Sequence, residues 1–188
     1  MIKPLFFGRL SLLFYLLCGL AFASSCSKKE SEPAASELLI NFGPGLGYSP
    51  RDANNRPTGN PDPTDWTLDG KWNAKEADLF KSLAINVNDK PIGTASVVGA
   101  YPNPATTSTK FSWSTPDATL CNIVVVDQSY QSIIGNSSST PSLGGSSSFD
   151  LTRSSAFKKG QLFRIYYVMY NGATLYCKGH GDIKIGKL

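Results

Sequence analysis

The stretch Gln161-Leu162-Phe163-Arg164-Ile165-Tyr166-Tyr167-Val168-Met169-Tyr170, then Asn171-Gly172, then Thr174 to Ile185, decides the fold. Phe163, Ile165, Tyr167 and Met169 alternate with a set that includes Arg164. Successive side chains of a strand point to opposite faces, so this period of two predicts a strand with one apolar face. Asn-Gly between two such runs is a strong hairpin signal. In the second run Leu175, Cys177, Ile183 and Ile185 share one parity, and Lys178, His180, Asp182 and Lys184 the other. The expectation is a dry face and a wet face.

Working back from this hairpin, the same period recurs. Ala84 to Asn88, Ala95 to Ala100, Ser108 to Ser114, Ala118 to Asp127, Gln131 to Ile134 and Phe149 to Thr152 all read as short strands between turn residues. Many short, punctuated strands predict an all-β, Ig-like antiparallel β-sandwich over residues 85–188. Asn136 to Ser148, rich in Ser and Gly, reads as a mobile loop. Residues 38–84 form an N-terminal extension. In it Leu38 to Phe42 reads as a strand and Gly43 to Asp65 as an irregular loop. Asn73-Ala74-Lys75-Glu76 has the form of a capping box, which predicts a short helix from Ala74 to about Ser82.

The start of the chain is a targeting segment. Lys3 and Arg9 precede Leu10 to Ala23, an apolar run of 14 residues. That is too short to span a bilayer core and fits a secretory signal peptide over residues 1–25. Ala21-Phe22-Ala23 suits ordinary signal peptidase, whereas Ala23-Ser24-Ser25-Cys26 resembles a bacterial lipobox. The lipobox reading makes Cys26 the lipidated (palmitate-bearing) N-terminus and residues 26–37 a flexible, disordered tether.

Composition bounds the partners. The chain has 188 residues, 18 basic and 14 acidic side chains, one histidine and four cysteines. Loss of residues 1–25 removes Lys3 and Arg9 and no acid, leaving a net charge of +2. So weak a charge argues against nucleic acid as a partner. A single histidine excludes a multi-His metal site.

Residues 101–188 resemble the Ig-like type A sorting domains of the type IX secretion system of Bacteroidota. The match rests on Tyr101-Pro102-Asn103-Pro104, Ile123 to Asp127, Phe149-Asp150-Leu151-Thr152, Gly160 before a long apolar strand, Asn171-Gly172, and Lys184-Ile185. The segment before it is short for a secreted cargo, so the resemblance implies the fold rather than the sorting role. The mature chain also resembles a small lipoprotein type of these bacteria. Its most distinctive strings are Asp65-Trp66-Thr67-Leu68 and Lys178-Gly179-His180-Gly181-Asp182. Ser25-Cys26-Ser27-Lys28-Lys29-Glu30 is similar to Bacteroidota lipoprotein starts, which implies the outer membrane, on its periplasmic or its cell-surface side.

Four sets of residues are candidates for chemistry. Asp65, Thr67, Asp69 and Glu76, with Gly70 and Asn73, can be laid on an EF-hand-like calcium loop, though the capping box explains Asn73 and Glu76 without metal. His180 and Asp182 share a face and form a weak general-base candidate; the flanking glycines more simply mark close backbone approach. Tyr166 and Tyr170 share a strand face with Arg164, a ligand strip if that face is exposed. Cys121 and Cys177 both face the core and are a candidate disulfide in an exported protein. No catalytic constellation or cofactor motif emerges. The expectation is a non-enzymatic envelope lipoprotein that binds a protein partner or supports an assembly, with a surface glycan-binding module as the alternative and a hydrolase ranked third.

Overall fold

The computed structural model describes residues 39–138 and 140–186. The signal peptide, Cys26 and the tether lie outside them. Among the described residues the chain is all-β, with seven antiparallel strands: β1 (Thr67–Leu68), β2 (Ser96–Tyr101), β3 (Ser108–Val126), β4 (Ser132–Ser138), β5 (Ser142–Asp150), β6 (Leu162–Asn171) and β7 (Thr174–Lys184). Among the described residues a short α-helix, α1 (Ala74–Asp78), precedes β2. The predicted hairpin is β6–β7, turning at Gly172 with φ 57°.

The long strand β3 organises the two layers. Its second half, Leu120 to Val126, lies between β6 and β4 in a sheet ordered β1-β7-β6-β3-β4. Its first half, Ser108 to Ser114, lies between β2 and β5. The register breaks between Ser114 and Thr119. Pro116, which lacks a ladder donor, sits in that break. Phe111 and Trp113 from the first half pack against β6, with the Phe111 and Tyr167 rings 5.4 Å apart. The inner core between the layers includes Ile123, Val125, Phe149, Phe163, Ile165 and Met169. Each such buried side chain contributes about 1.5–3 kcal/mol.

Several sequence expectations change. Ser108 to Val126 is one bent strand rather than two, because the interruption falls within a continuous extended run. The stretch 136–148 is not an irregular loop: residues 136–138 lie in β4 and 142–148 in β5, which return along β3. Small uncharged residues satisfy that ladder although their composition suggests a loop. Ala84 to Asn88 forms turns, and residues 39–42 form no strand, although the Ile40 N–H donates to Gln128 O at 2.8 Å. The capping box is present, but the helix it starts ends at Asp78.

The largest difference concerns the outer face of β6 and β7. The N-terminal extension, together with residues 85–88 that follow it, covers it. Ile40, Trp72, Phe80 and Val87 pack on Val124, Val126, Tyr166, Val168 and Leu175 as a second core. The extension and the sandwich are therefore one packed body. Leu175 joins this outer core because a bulge at Tyr176 breaks the alternation: Met169 pairs with Cys177, and Tyr170 with Leu175. Among the described residues no helix is long and apolar enough to cross a membrane.

Candidate functional site

The two most distinctive strings of the sequence form one structure. Thr67 pairs with His180 and Leu68 with Gly179, so β1 is added to the edge of β7. The Asp69 N–H continues the ladder to Lys178 O at 2.9 Å. Glycine on both sides of His180 has a steric cause. A Cβ at Gly179 would overlap Tyr167 Oη and Thr67 O, and one at Gly181 would overlap the Trp66 ring. Trp66 holds a left-handed backbone, φ 61°, a strained state for a bulky residue that its surroundings must enforce.

The polar side chains of this face are paired beneath the extension. Arg164 and Asp182, opposite each other on β6 and β7, form two bonds of 2.8 Å each. Arg164 also donates to Asn41 O at 3.0 Å. Asp65 accepts from the Asp182 N–H at 2.6 Å and from the Ser49 N–H at 2.7 Å. Lys178, 2% exposed, donates to Val87 O at 2.6 Å and Asn88 Oδ1 at 2.8 Å, with its Nζ 4.7 Å from the Trp72 ring centre. His180 Nδ1 lies 2.8 Å from Asp69 Oδ2, which also accepts from Trp72 Nε1 at 2.7 Å. Tyr166 Oη donates to Glu76 Oε1 at 3.1 Å.

Burial sets the protonation of this layer. It pushes the Asp65 carboxyl up to about 6, against the two N–H donors that favour the anion. It also raises Asp182, despite the Arg164 bond. Burial works against the Arg164 guanidinium, but the bond and charge of Asp182 outweigh it and keep the cation. Burial lowers Lys178, with Asp69 and Glu76 opposing.

These placements answer the sequence candidates. The tyrosine strip is covered rather than exposed: Tyr166 is 0% and Arg164 7% exposed, and only Tyr170 is half-buried. The wet face predicted for β7 is likewise inside, since Lys178 and Asp182 are buried. Asp182 serves Arg164, and Asp69 is the carboxylate on His180. That pairing turns His180 Nδ1 toward Asp69, the arrangement in which a carboxylate orients an imidazole. Among the described residues, however, only Asp69 bonds His180. The calcium set does not converge. Asp65 bonds backbone amides, Asp69 bonds His180 and Trp72, Glu76 caps α1, and Thr67 bonds Thr64 O. Among the described residues no three metal-ligating side chains meet.

Cys121 and Cys177 are not bonded. Both face the inner core, as parity requires, but β6 lies between their strands, and Met169 pairs with each. Two strand spacings put the Cα atoms about 9–10 Å apart, beyond the reach of a disulfide.

Among the described residues the surface has hollows. One, of about 620 Å³, lies by Leu39, Phe42, Asp127, Lys158 and Gln161. Another, of about 390 Å³, lies at the C-terminal end of β5. Sequence reasoning missed the covering role of Trp72 and the bonds of Glu76 and Lys178, because nothing local marks which face an extension will cover. Compared with known proteins, the chain matches no family model, no curated protein and no solved structure.

Proposed function

We propose that this protein is a non-catalytic, lipid-anchored envelope protein, a binding or structural component of an outer-membrane or cell-surface assembly. One observation carries the non-catalytic reading. The charged and aromatic groups that sequence marks for chemistry bind the segment before β2 to the sandwich, through Arg164–Asn41, Asp65–Asp182, Lys178–Val87, His180–Asp69 and Tyr166–Glu76, while Arg164 and Asp182 pair within the β6–β7 hairpin. They serve to hold a rigid body together. The anchoring reading rests on the apolar run and the small residues before Cys26.

The test replaces Cys26 with Ala in the native host and seeks acyl mass on the wild-type peptide that begins at Cys26. The expected result is an acylated wild type and a folded mutant released in soluble form. A mutant that still fractionates with membranes, beside a wild type without acyl mass, defeats the anchor. A mild-detergent pull-down of the wild type then tests for an assembly; recovery of the protein without a partner argues against that role.

A glycan-binding reading draws on the hollow beside Phe42, where an aromatic ring sits with the carboxylate of Asp127 and the amides of Gln128 and Gln161. Those groups suit a sugar's faces and hydroxyls. Glycan-array binding that is lost on Gln161→Ala supports it, and an array without signal removes it.

A further inference from the structure

Strand β5 presents an open edge. It pairs with β3 on one side, and among the described residues no backbone or side-chain group is seen bonding the other. Gly144 to Asp150 keep unbroken register with Ser108 to Ser114. Proteins usually blunt such an edge with charge, proline or a bulge. Here Asp150, the last residue of β5, is its one charge, no other occurs back to Ser132, Pro141 lies before the strand, and the register with β3 shifts between Ser142 and Gly144.

Two features mark the ends of this edge. At the C-terminal end is the hollow of about 390 Å³, whose floor of Ile133, Ile134, Phe149 and Phe157 is rimmed by Ser148, Ser154 and the ion pair of Asp150 and Arg153. At the N-terminal end Leu143 is 60% exposed. Directly opposed residues of an antiparallel pair share a face. Phe149, Ser147 and Gly145 oppose Thr109, Phe111 and Trp113, and Phe111 and Trp113 point into the core. Leu143 continues that core-side parity.

Leu143 and Phe149 each lie three residues from Ser146. If two β5 strands run antiparallel about a two-fold axis at Ser146, Leu143 of each copy falls opposite Phe149 of the other. It then points to the side on which the hollow opens. Gly144, Gly145, Ser147 and Ser148 between them are small and uncharged, and Asp150 falls opposite Ser142, so no like charges meet.

We propose that two copies of the chain join edge to edge through β5, with Leu143 of each filling the hollow at Phe149 of the other. Such a contact is isologous and closes on itself. An interface of one strand pair is small, which makes the dimer reversible. The proposal is independent of the lipid anchor.

The test places Ser146→Cys in the full chain. Opposed Cα atoms in an antiparallel pair are about 4.5–5.5 Å apart, within disulfide reach. Mild oxidation is expected to give a species of twice the mass on non-reducing electrophoresis. Mass spectrometry is expected to find two copies of the substituted peptide joined by a disulfide. Ser132→Cys on β4 is expected to stay monomeric. Adding Leu143→Asp to Ser146→Cys is expected to lower cross-linking about tenfold, a loss of about 1.4 kcal/mol, with an unchanged melting temperature showing that the fold is intact. Sedimentation of the unmodified protein at rising concentration is expected to approach the dimer mass, and Leu143→Asp to abolish that rise. The proposal is overturned by a monomer at all concentrations, by equal cross-linking of Ser132→Cys, by indifference to Leu143→Asp, or by the introduced β5 thiol joining a different protein.

Discussion

Arg164 and Asp182 face each other across β6 and β7, and both of their bonds measure 2.8 Å in a site almost closed to water. Breaking such a pair from one side leaves an uncompensated buried charge, which costs about 3–5 kcal/mol. Asp182→Asn is expected to destabilise by that order, read from urea denaturation midpoints at constant slope. The double change Arg164→Met with Asp182→Leu is expected to cost clearly less than the two single changes added together. Additive losses would show that the pair does not act as a unit.

The glycines beside His180 give a steric prediction. Gly181→Ala drives a Cβ into the Trp66 ring, and Gly179→Ala into Tyr167 Oη and Thr67 O. Overpacking typically costs about 1–3 kcal/mol. Both variants are expected to melt early and to lose protection of the Asp69 amide in hydrogen exchange, since β1 must lift from β7. By contrast Gly135→Ala, where a Cβ meets open space, is expected to change little. Wild-type protection in Gly181→Ala would refute the close-approach account.

Asp65 predicts how stability depends on pH. Its folded pKa, about 6, lies above the ordinary value of 3.8. Between those values the folded state binds more protons than the unfolded one, so this group's contribution grows as pH falls from 7 toward 4. The size is on the order of 3 kcal/mol at most, from about 1.4 kcal/mol per pKa unit. Asp65→Asn has no such titration. The stability of wild type relative to this variant is therefore expected to rise on acidification through that window. A difference that is flat from pH 4 to 7 would place the Asp65 carboxyl at its ordinary value.

The two core thiols make a chemical prediction. Burial raises Cys177 to about 12 and Cys121 higher still, and the nearby Cys177 adds to the effect on Cys121. Thiolate is the reactive form, so both should resist iodoacetamide at pH 8 in the native protein and react fully in denaturant. Reductant should leave the melting temperature unchanged. A mass two hydrogens short across these two residues would mean that they are bonded.

Much of the inner face was legible in the sequence. The alternation of Phe163, Ile165, Tyr167 and Met169 identified the core side of β6, and the glycines around His180 pointed to close backbone approach. What could not be read was pairing order and covering. Cys121 and Cys177 have the right parity for a bond, yet parity does not reveal that β6 lies between them. Arg164, Lys178 and Asp182 alternate like a wet face because polar periodicity looks the same whether water or a polar layer covers it. The Ser- and Gly-rich stretch of β5 carries little strand propensity, and its pairing comes from the long partner β3.

The contacts that hold the extension down join residues far apart in the chain: Asp65 and Asp182 are separated by 117 positions, Asn41 and Arg164 by 123. Ala105 bridges to Ile185 near the chain's end. Synthesis proceeds from the other end, so Trp72 and Phe80 exist long before the β6–β7 surface that buries them. Contacts of such high order close slowly, because the loop between them must be ordered first. The fold therefore completes as a late event, after β7 has emerged. A nascent chain halted at Gly172 is expected to remain protease-sensitive throughout the extension, and release of the final strand to protect the first described residues and the last together.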